Sequence, residues 1–498
     1  MSGSIAGQTI SFDEIPADWR VPGTYSEIRP DRRNRGLYPY PARTLIVAPK
    51  LAAGSGATLR ALRLTRVEDA VAWGGEGGIA AEMAELFLAN NRTGDVSLFL
   101  LPDPAGAKAT CTITLTGTPT ANGTLVANIG GRRIAVAVNA AETVTVIAAR
   151  LVAAITALVG RQAAQVTAAA VAGVVTLTAR HFGTVGNAIP VIIAPEPEIP
   201  LPPGLTAVAT AMTGGTLEAD IAPMITAIAT EWWTDLVLPQ ISTAYATALT
   251  AELERRWNAM VRLDAHVWGM AVGTFSALST LGNARNSRFI TELGANASPS
   301  TPWAWAAALA GRATFFLLND PARQLRGIPL SGIQAPLSAN RFIDTERDLL
   351  LRDGISTWNA TDDGLVVLER VITQNQRTTL GVEDTAWLDV MTVKTLSRIR
   401  YDWWAYMTAT WPRAKLADDN AAAAEYDPEI ATPRRLHNSW AARCTLYERL
   451  GWIQQASESA AESFFVRDPT DRNRVNARLR VRILGNLMTL AGVLEFSQ

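Results

Sequence analysis

Two stretches of the chain alternate short uninterrupted apolar runs with apolar residues at helical spacing. Leu45-Ile46-Val47-Ala48 and Val96 to Leu101 read as buried strands, and between them Ile79, Met83, Leu86 and Phe87 recur at helical intervals over Ile79 to Asn90. The alternation resumes with Leu236-Val237-Leu238, the amphipathic stretch Thr243 to Met260, the run His266 to Val272, and Pro302 to Leu318, whose proline suits a first helical turn. Apolar strands alternating with helices predict an α/β layer around a largely parallel sheet, divided here between residues 31–102 and 216–350.

The interruption, residues 103–215, has another period. Thr alternates with apolar residues in Cys111-Thr112-Ile113-Thr114-Leu115-Thr116 and again from Val174 to Thr178, with one helical stretch near Thr143 to Val159 between them. Charge is sparse, and Pro195, Pro197, Pro200, Pro202 and Pro203 make a stiff exit. This pattern predicts a mostly β domain inserted into a loop of the α/β core, giving an α+β multidomain chain.

Residues 351–484 read as a C-terminal subdomain. Leu365 to Thr373 is a strand after the turn Asp362-Asp363-Gly364. A long helix is expected from about Asp384 to Thr410, ending before Pro412. In Val475 to Ile483, Val475, Ala477, Leu479, Val481 and Ile483 point one way and Asn476, Arg478, Arg480 and Arg482 the other, a nine-residue strand in the making. Both ends read as extended arms, 1–30 and 485–498. Pro16, Pro22 and Pro30 bar a helix, Thr24-Tyr25-Ser26-Glu27-Ile28 is a short strand, and Val493-Leu494-Glu495-Phe496 is another. The apolar residues Ile10, Phe12 and Ile15 lack a local hairpin partner, so this leading segment is expected to pair elsewhere.

Composition narrows the function classes. Of 498 residues 48% are hydrophobic, which excludes global disorder, and only 18% are charged, which suits a subunit packing against its own copies. Lys+Arg 45 against Asp+Glu 46 gives a net charge of -1, so a general electrostatic grip on nucleic acid or an anionic membrane is not expected. The N-terminal segment shows no basic region followed by an apolar run, so no secretory signal is expected. The uncharged stretch Gln162 to Ala179 carries Gln165, Thr167, Thr176 and Thr178 and alternates like a strand, so no stable membrane insertion is expected either. Two cysteines, Cys111 and Cys444, make no disulfide framework.

Candidate chemistry is thin. Gly75, Gly77 and Ala80 spell a glycine-rich turn before the helix at Ile79, but the preceding strand of a dinucleotide site is missing, and a helix cap accounts for the turn. His181, His266 and His437 are scattered without metal-ligand spacing, and His266 reads as a hydrogen-bonded core residue. No Gly-x-Ser-x-Gly elbow and no phosphate loop occur. Asp362-Asp363 and Asp418-Asp419 sit in solvated turns. Trp232-Trp233 and Trp403-Trp404 read as core or interface, and Arg478, Arg480 and Arg482 as a guarded strand face. No catalytic residue, cofactor or metal is expected.

Four motifs in order resemble a family. They are Ile10-Ser11-Phe12-Asp13-Glu14-Ile15-Pro16 with Arg20-Val21-Pro22-Gly23-Thr24-Tyr25; Thr178 to Asn187; Gly354-Ile355-Ser356-Thr357-Trp358 with Gly364 and Glu369-Arg370; and the closing Val493 to Phe496. The chain resembles contractile tail sheath proteins of the phage Mu type, related to sheaths of other contractile injection systems. Ala188 departs from the acidic residue that relatives often carry there. The resemblance implies a virion subunit, assembled in the host cytoplasm into stacked hexameric rings around a tail tube protein. Baseplate and tail terminator proteins are the further implied partners, and sheath contraction drives the tube through a bacterial envelope. It also implies exchanged strands at both ends. The donors would be Thr24, Tyr25, Ser26, Glu27 and Ile28, and Val493, Leu494, Glu495 and Phe496. The acceptor would be one sheet holding Leu365, Val366, Val367 and Leu368 together with Val475, Ala477, Leu479, Val481 and Ile483. Backbone pairing of this kind survives large motion while the linkers Gly3 to Gly7 and Gly485-Asn486 bend. Two readings stand beside it: an α/β enzyme with a cofactor at the Gly75 turn, and a non-contractile tail tube or surface-lattice protein.

Overall fold

The computed structural model describes residues 4–5, 8–9, 16, 20–26, 36–427 and 429–496. Ser4–Ile5 (β1) pairs antiparallel with Gln8–Thr9 (β2), a short hairpin within the expected linker; Ile10, Phe12 and Ile15 lie outside the described residues. The core opens with Arg43–Lys50 (β3), Ala61–Arg63 (β4), Val67–Gly74 (α1), Ile79–Asn90 (α2) and Asp95–Pro102 (β5). Lys108–Gly117 (β6), Gly123–Ile129 (β7), Arg132–Val138 (β8), Val144–Thr156 (α3), Val166–Val171 (β9), Val174–Phe182 (β10), Val191–Ile193 (β11) and Leu205–Ala209 (β12) follow. The chain then returns through Ala222–Ala227 (α4), Asp235–Val237 (β13), Thr243–Trp257 (α5), His266–Val272 (β14), Phe275–Asn283 (α6), Ile290–Ala295 (β15) and Pro302–Asn319 (α7).

These core strands form one sheet in the order β15-β14-β13-β3-β5-β4, parallel throughout except for the antiparallel edge β4. The architecture is α/β. Its strands are continuous apolar runs because both faces are covered. Along β3, Ile46 and Ala48 pack with Met83 and Phe87 of α2 and with Trp303 and Leu309 of α7. Leu45 and Val47 pack on the other face with Trp233 and with Leu249 and Leu253 of α5. Helix α7 starts where the sequence places it: Pro302 occupies the first turn and the Thr301 hydroxyl accepts the Ala304 N–H at 3.3 Å. It lies close on α2 because Gly311 has no side chain; a Cβ there would stand 2.8 Å from Asn90 Cβ.

Between β5 and α4 the chain builds two antiparallel sheets of its own, β12-β6-β10-β9 and β11-β7-β8. Helix α3 packs on strands of both through Ile147, Leu151 and Ile155. Beyond α7 come Pro329–Gln334 (β16), Asp344–Arg352 (α8), Thr357–Ala360 (β17), Leu365–Arg370 (β18), Val390–Thr410 (α9), Ala422–Tyr426 (α10), Pro433–Arg449 (α11), Ala456–Ala461 (α12), Phe464–Arg467 (β19) and Val475–Arg478 (β20).

Two elements differ from expectation. Helix α9 starts at Val390, not near Asp384, because Thr373 holds the preceding segment: its N–H bonds Leu388 O at 2.8 Å and its hydroxyl bonds Trp387 O at 2.7 Å. Strand β20 stops at Arg478. The Arg480 N–H turns to the Ser463 hydroxyl at 2.8 Å, and Ile483 then bridges Ile453, so the chain leaves one partner strand for another segment.

Candidate assembly interface

The root of each arm is pinned to the body by a different device. Asp402 of α9 is fully buried and collects four donors. Arg443 Nε reaches it at 3.0 Å, Tyr447 OH at 2.6 Å and the Tyr38 backbone N–H at 3.0 Å, with Arg443 Nη2 as the fourth. Around it Tyr401 OH donates to Pro39 O at 2.9 Å, and Tyr40 pairs with Ser397 at 3.2 Å. Burial pushes the Tyr40 phenol up to about 12 and raises Tyr447 as well, Asp402's charge adding to the latter. Both therefore stay protonated, as the donor role of Tyr447 requires. At the other end Asn486 Nδ2 donates to Ala322 O at 3.0 Å, Gln324 Nε2 to Leu487 O at 3.0 Å, and Arg326 Nη1 to Met488 O at 3.0 Å.

Past Met488 the C-terminal arm leaves the body. Val493, Leu494 and Phe496 are exposed, Leu494 at 96% and Phe496 at 85%, and the segment forms no strand within the chain. Thr24, Tyr25 and Ser26 are likewise exposed and outside any strand; Glu27 and Ile28 lie outside the described residues.

The expected acceptor sheet does not exist as one sheet. Leu365, Val366, Val367 and Leu368 belong to β18, the middle strand of β16-β18-β17, so both of its edges are already filled. Val475 and Ala477 belong instead to a separate hairpin in which β20 pairs, among the described residues, with β19 alone, Phe465 opposite Ala477 and Arg467 opposite Val475. Leu479, Val481 and Ile483 fall beyond the strand, for the reason given above. The error was one of partner choice: alternation tells which face a residue takes, not which strand lies beside it.

The hairpin is nevertheless open. Phe465 packs inward with Trp403, Trp440 and Trp452. Phe464 and Val466 point the other way and remain half exposed, at 50% and 52%. Among the described residues neither β19 nor β20 has a backbone partner on its outer edge. Sequence reasoning missed Asp402, Arg443, Tyr447 and Tyr38. The available signal was an acid set between Tyr401 and Trp403 in an otherwise apolar-faced helix.

The glycine-rich turn is closed by protein. His181 of β10 reaches over to α2, where its Nε2 accepts the Ile79 N–H at 3.1 Å while Nδ1 bonds Asp103 at 2.8 Å. Nδ1 must therefore carry the proton. Gly77 lies against the inserted sheets, and a Cβ there would meet Ala164 O at 2.5 Å. The first turn of α2 thus presents its N–H to a histidine where a phosphate would have to sit. His266 is buried in β14 with Nε2 2.8 Å from Thr291 Oγ1, and burial, with Lys394's charge, holds its pKa well below the usual range. Among the described residues no cluster of potential metal ligands occurs, and no helix is long and apolar enough to cross a membrane.

The chain is similar to known proteins over nearly its whole length. It is 30% identical over 489 residues, 98% of this chain and 99% of the other, to the Mu-like prophage FluMu tail sheath protein of Haemophilus influenzae. A family model described as "Phage tail sheath protein central domain" matches residues 214–374. Among solved structures, a sheath tail protein from Desulfitobacterium hafniense is 12% identical with TM-score 0.47, covering 93% of this chain and 100% of that one. The sheath complex of an extracellular contractile injection system in its contracted state is 10% identical with TM-score 0.48, covering 96% of this chain and 98% of that one.

Proposed function

Because the chain belongs to the phage tail sheath family, we propose that its copies polymerise as stacked hexameric rings around a tail tube, joined by backbone strands lent from both chain ends. Two features carry this reading: the exposed apolar arm Val493 to Phe496, and the β19–β20 hairpin, whose outer edges lack partners among the described residues. One copy's arm adds to the open edge of β19 or β20 in a neighbour, covering Phe464 and Val466; the Thr24 to Ile28 segment makes a second junction. At about 1 kcal/mol per net hydrogen bond, a four- or five-residue graft gives only a few kcal/mol. Repeated at every subunit, it holds a lattice together while the arm beyond Met488, rather than Gly485-Asn486, which is held to the body, bends.

A head-to-tail contact that does not close yields helical tubes. Contraction is then a passage from a metastable long packing to a shorter, wider one, with the energy held in contacts made at assembly. Tail tube, baseplate and tail terminator proteins are the partners such a sheath requires. The assembled particle is a virion tail, built in the host cytoplasm.

The test is imaging. Purified protein is expected to form hollow tubes wide enough to enclose a second tube, whereas narrow tubes or flat lattices would fit a tube or surface-layer protein instead. Deleting Met1 to Ile28 should leave a folded, soluble monomer that does not polymerise. Long tubes from that truncation would refute strand exchange.

A further inference from the structure

We propose that the basic groove beside β4 receives the Asp362-Asp363 turn of a second copy, forming a side-to-side contact that rests on the sheath reading above. The groove has a volume of about 610 Å³ and is lined by Arg43, Arg60 and Arg63, with Asp95, Glu231 and Leu59 between them. Its charges are unbalanced. Arg43 and Arg63 share Asp95, at 3.9 and 3.8 Å, and Glu231 accepts the Trp233 indole N–H. Arg60 makes no ion pair among the described residues. Arginines flanking a three-residue edge strand keep other strands from pairing there, and they leave a site suited to carboxylates.

The opposite charge stands on the three-stranded sheet β16-β18-β17, which adjoins the core sheet at β15, the edge opposite β4. Strand β17 lies beside β15 through the Leu293–Ser356 bridge, and the β17–β18 turn projects from that side. The turn is set by two backbone bonds, Thr361 N–H to Leu365 O and Gly364 N–H to Thr361 O, both 2.9 Å, with Gly364 at φ 78°. Asp362 and Asp363 are exposed and have no ion-pair partner among the described residues; the adjoining Leu365 is exposed too.

Position argues for a second copy as occupant. The groove sits at the β4 edge of the core sheet and the turn on the smaller sheet that adjoins its β15 edge, so the core sheet stands between them within a chain, and each is available to a neighbour placed alongside. The groove runs from Arg43 and Asp95, where β3 and β5 begin, to Leu59 and Arg60 beside Leu100 near the end of β5, whereas the turn lies past the end of β15, because the chain entering β17 is parallel to β15 at the bridge. The contact joins two different surfaces, and repetition of a heterologous contact that does not close winds into a helix. Leu59 and Leu365 supply a small apolar contact at the rim.

The experiment uses the full chain with two charge reversals, R60E/R63E and D362K/D363K. All four residues are exposed, so both variants should keep the wild-type circular dichroism and melting temperature. Each alone should fail to form tubes, since it sets like charges face to face. An equimolar mixture should form them again, because alternating copies restore opposite charges at every contact. If either variant polymerises as wild type does, or the mixture fails to recover, the contact is wrong and the sheath reading stands. If the wild type forms no tubes at all, both fall. Should a reversal unfold the chain, R60Q/R63Q and D362N/D363N serve in its place. Each should raise the critical concentration for assembly about tenfold, and an unchanged value would overturn the proposal.

Discussion

Strands β3 and β20 meet opposite fates in the folded chain. β3 pairs with β13 on one edge and β5 on the other, and its residues Leu45 to Ala48 are all buried between helices. Among the described residues β20 pairs with β19 alone, and the apolar residues on the hairpin's outer face stay half exposed. In the core, hydrophobic burial and backbone pairing are both complete within one chain. At the C-terminal end both are left incomplete, and so is the arm beyond Met488. A monomer built this way is stabilised by its centre, and what its ends leave unpaired is the material from which association can draw free energy.

The largest effect on the monomer should come from the residue that ties the N-terminal arm's root to the body. Asp402→Ala removes the common acceptor of Arg443, Tyr447 and Tyr38 and takes a carboxylate away from a buried guanidinium. Breaking a buried pair from one side costs about 3–5 kcal/mol. A clear fall in melting temperature is expected, with added protease cleavage near Gly36 to Tyr40. A variant as stable as wild type would show that the arm's root is not held there.

A smaller effect tests the seam between the core and its inserted sheets. Gly77 has φ 70° and its missing Cβ faces Ala164 O at 2.5 Å. Gly77→Ala should cost about 1–3 kcal/mol through strain of that backbone conformation, read as a lower urea midpoint. Hydrogen exchange should quicken at the Ile79 N–H that His181 caps, while β3 and β14 remain protected.

The same seam has a pH signature. Glu82 is buried on α2 and accepts hydrogen bonds from Thr301 at 2.9 Å, from Trp303 and from Gln165 of the insert. Burial raises its pKa above the ordinary 4.5, against the opposing charge of Arg132. Between those two values the native chain binds more protons than the unfolded one, so this group's contribution makes stability fall as pH rises. Glu82→Gln does not titrate and should show a shallower decline. Glu292 shifts the same way through burial and is present in both proteins, so it drops out of the difference. Parallel slopes would mean that Glu82 stays ionised in the fold.

How far the sequence carried this picture depends on whether the deciding interaction is local. Leu45 to Ala48, Ile79 to Asn90 and Pro302 to Leu318 declare their elements through spacing and capping, and those elements formed within a few residues of expectation. The Thr-apolar alternation of Cys111 to Thr116 marked a strand for the same reason. Partner choice is not local. Nothing near Leu365 says that β16 and β17 flank it, and nothing near Arg480 says that Ser463 captures its N–H. Asp402 works through residues 41 to 364 positions away and His181 through residues 78 to 102 positions away, which no periodicity can report.

The smallest effect on the monomer should accompany a complete loss of assembly. Val493, Leu494 and Phe496 are almost wholly exposed, so replacing all three with Ser removes no buried contact from the isolated chain. Exposed substitutions of this kind change stability by less than about 0.5 kcal/mol. The melting temperature of the monomer should therefore not move, while its capacity to form tubes should vanish, because the arm would no longer bring apolar side chains to Phe464 and Val466 of a neighbour. Phe464→Ser with Val466→Ser should copy that phenotype from the acceptor side, and combining donor and acceptor changes should add nothing further. Tubes formed at wild-type concentration by the triple variant would separate exposure from assembly and leave the contrast between β3 and β20 a matter of folding alone.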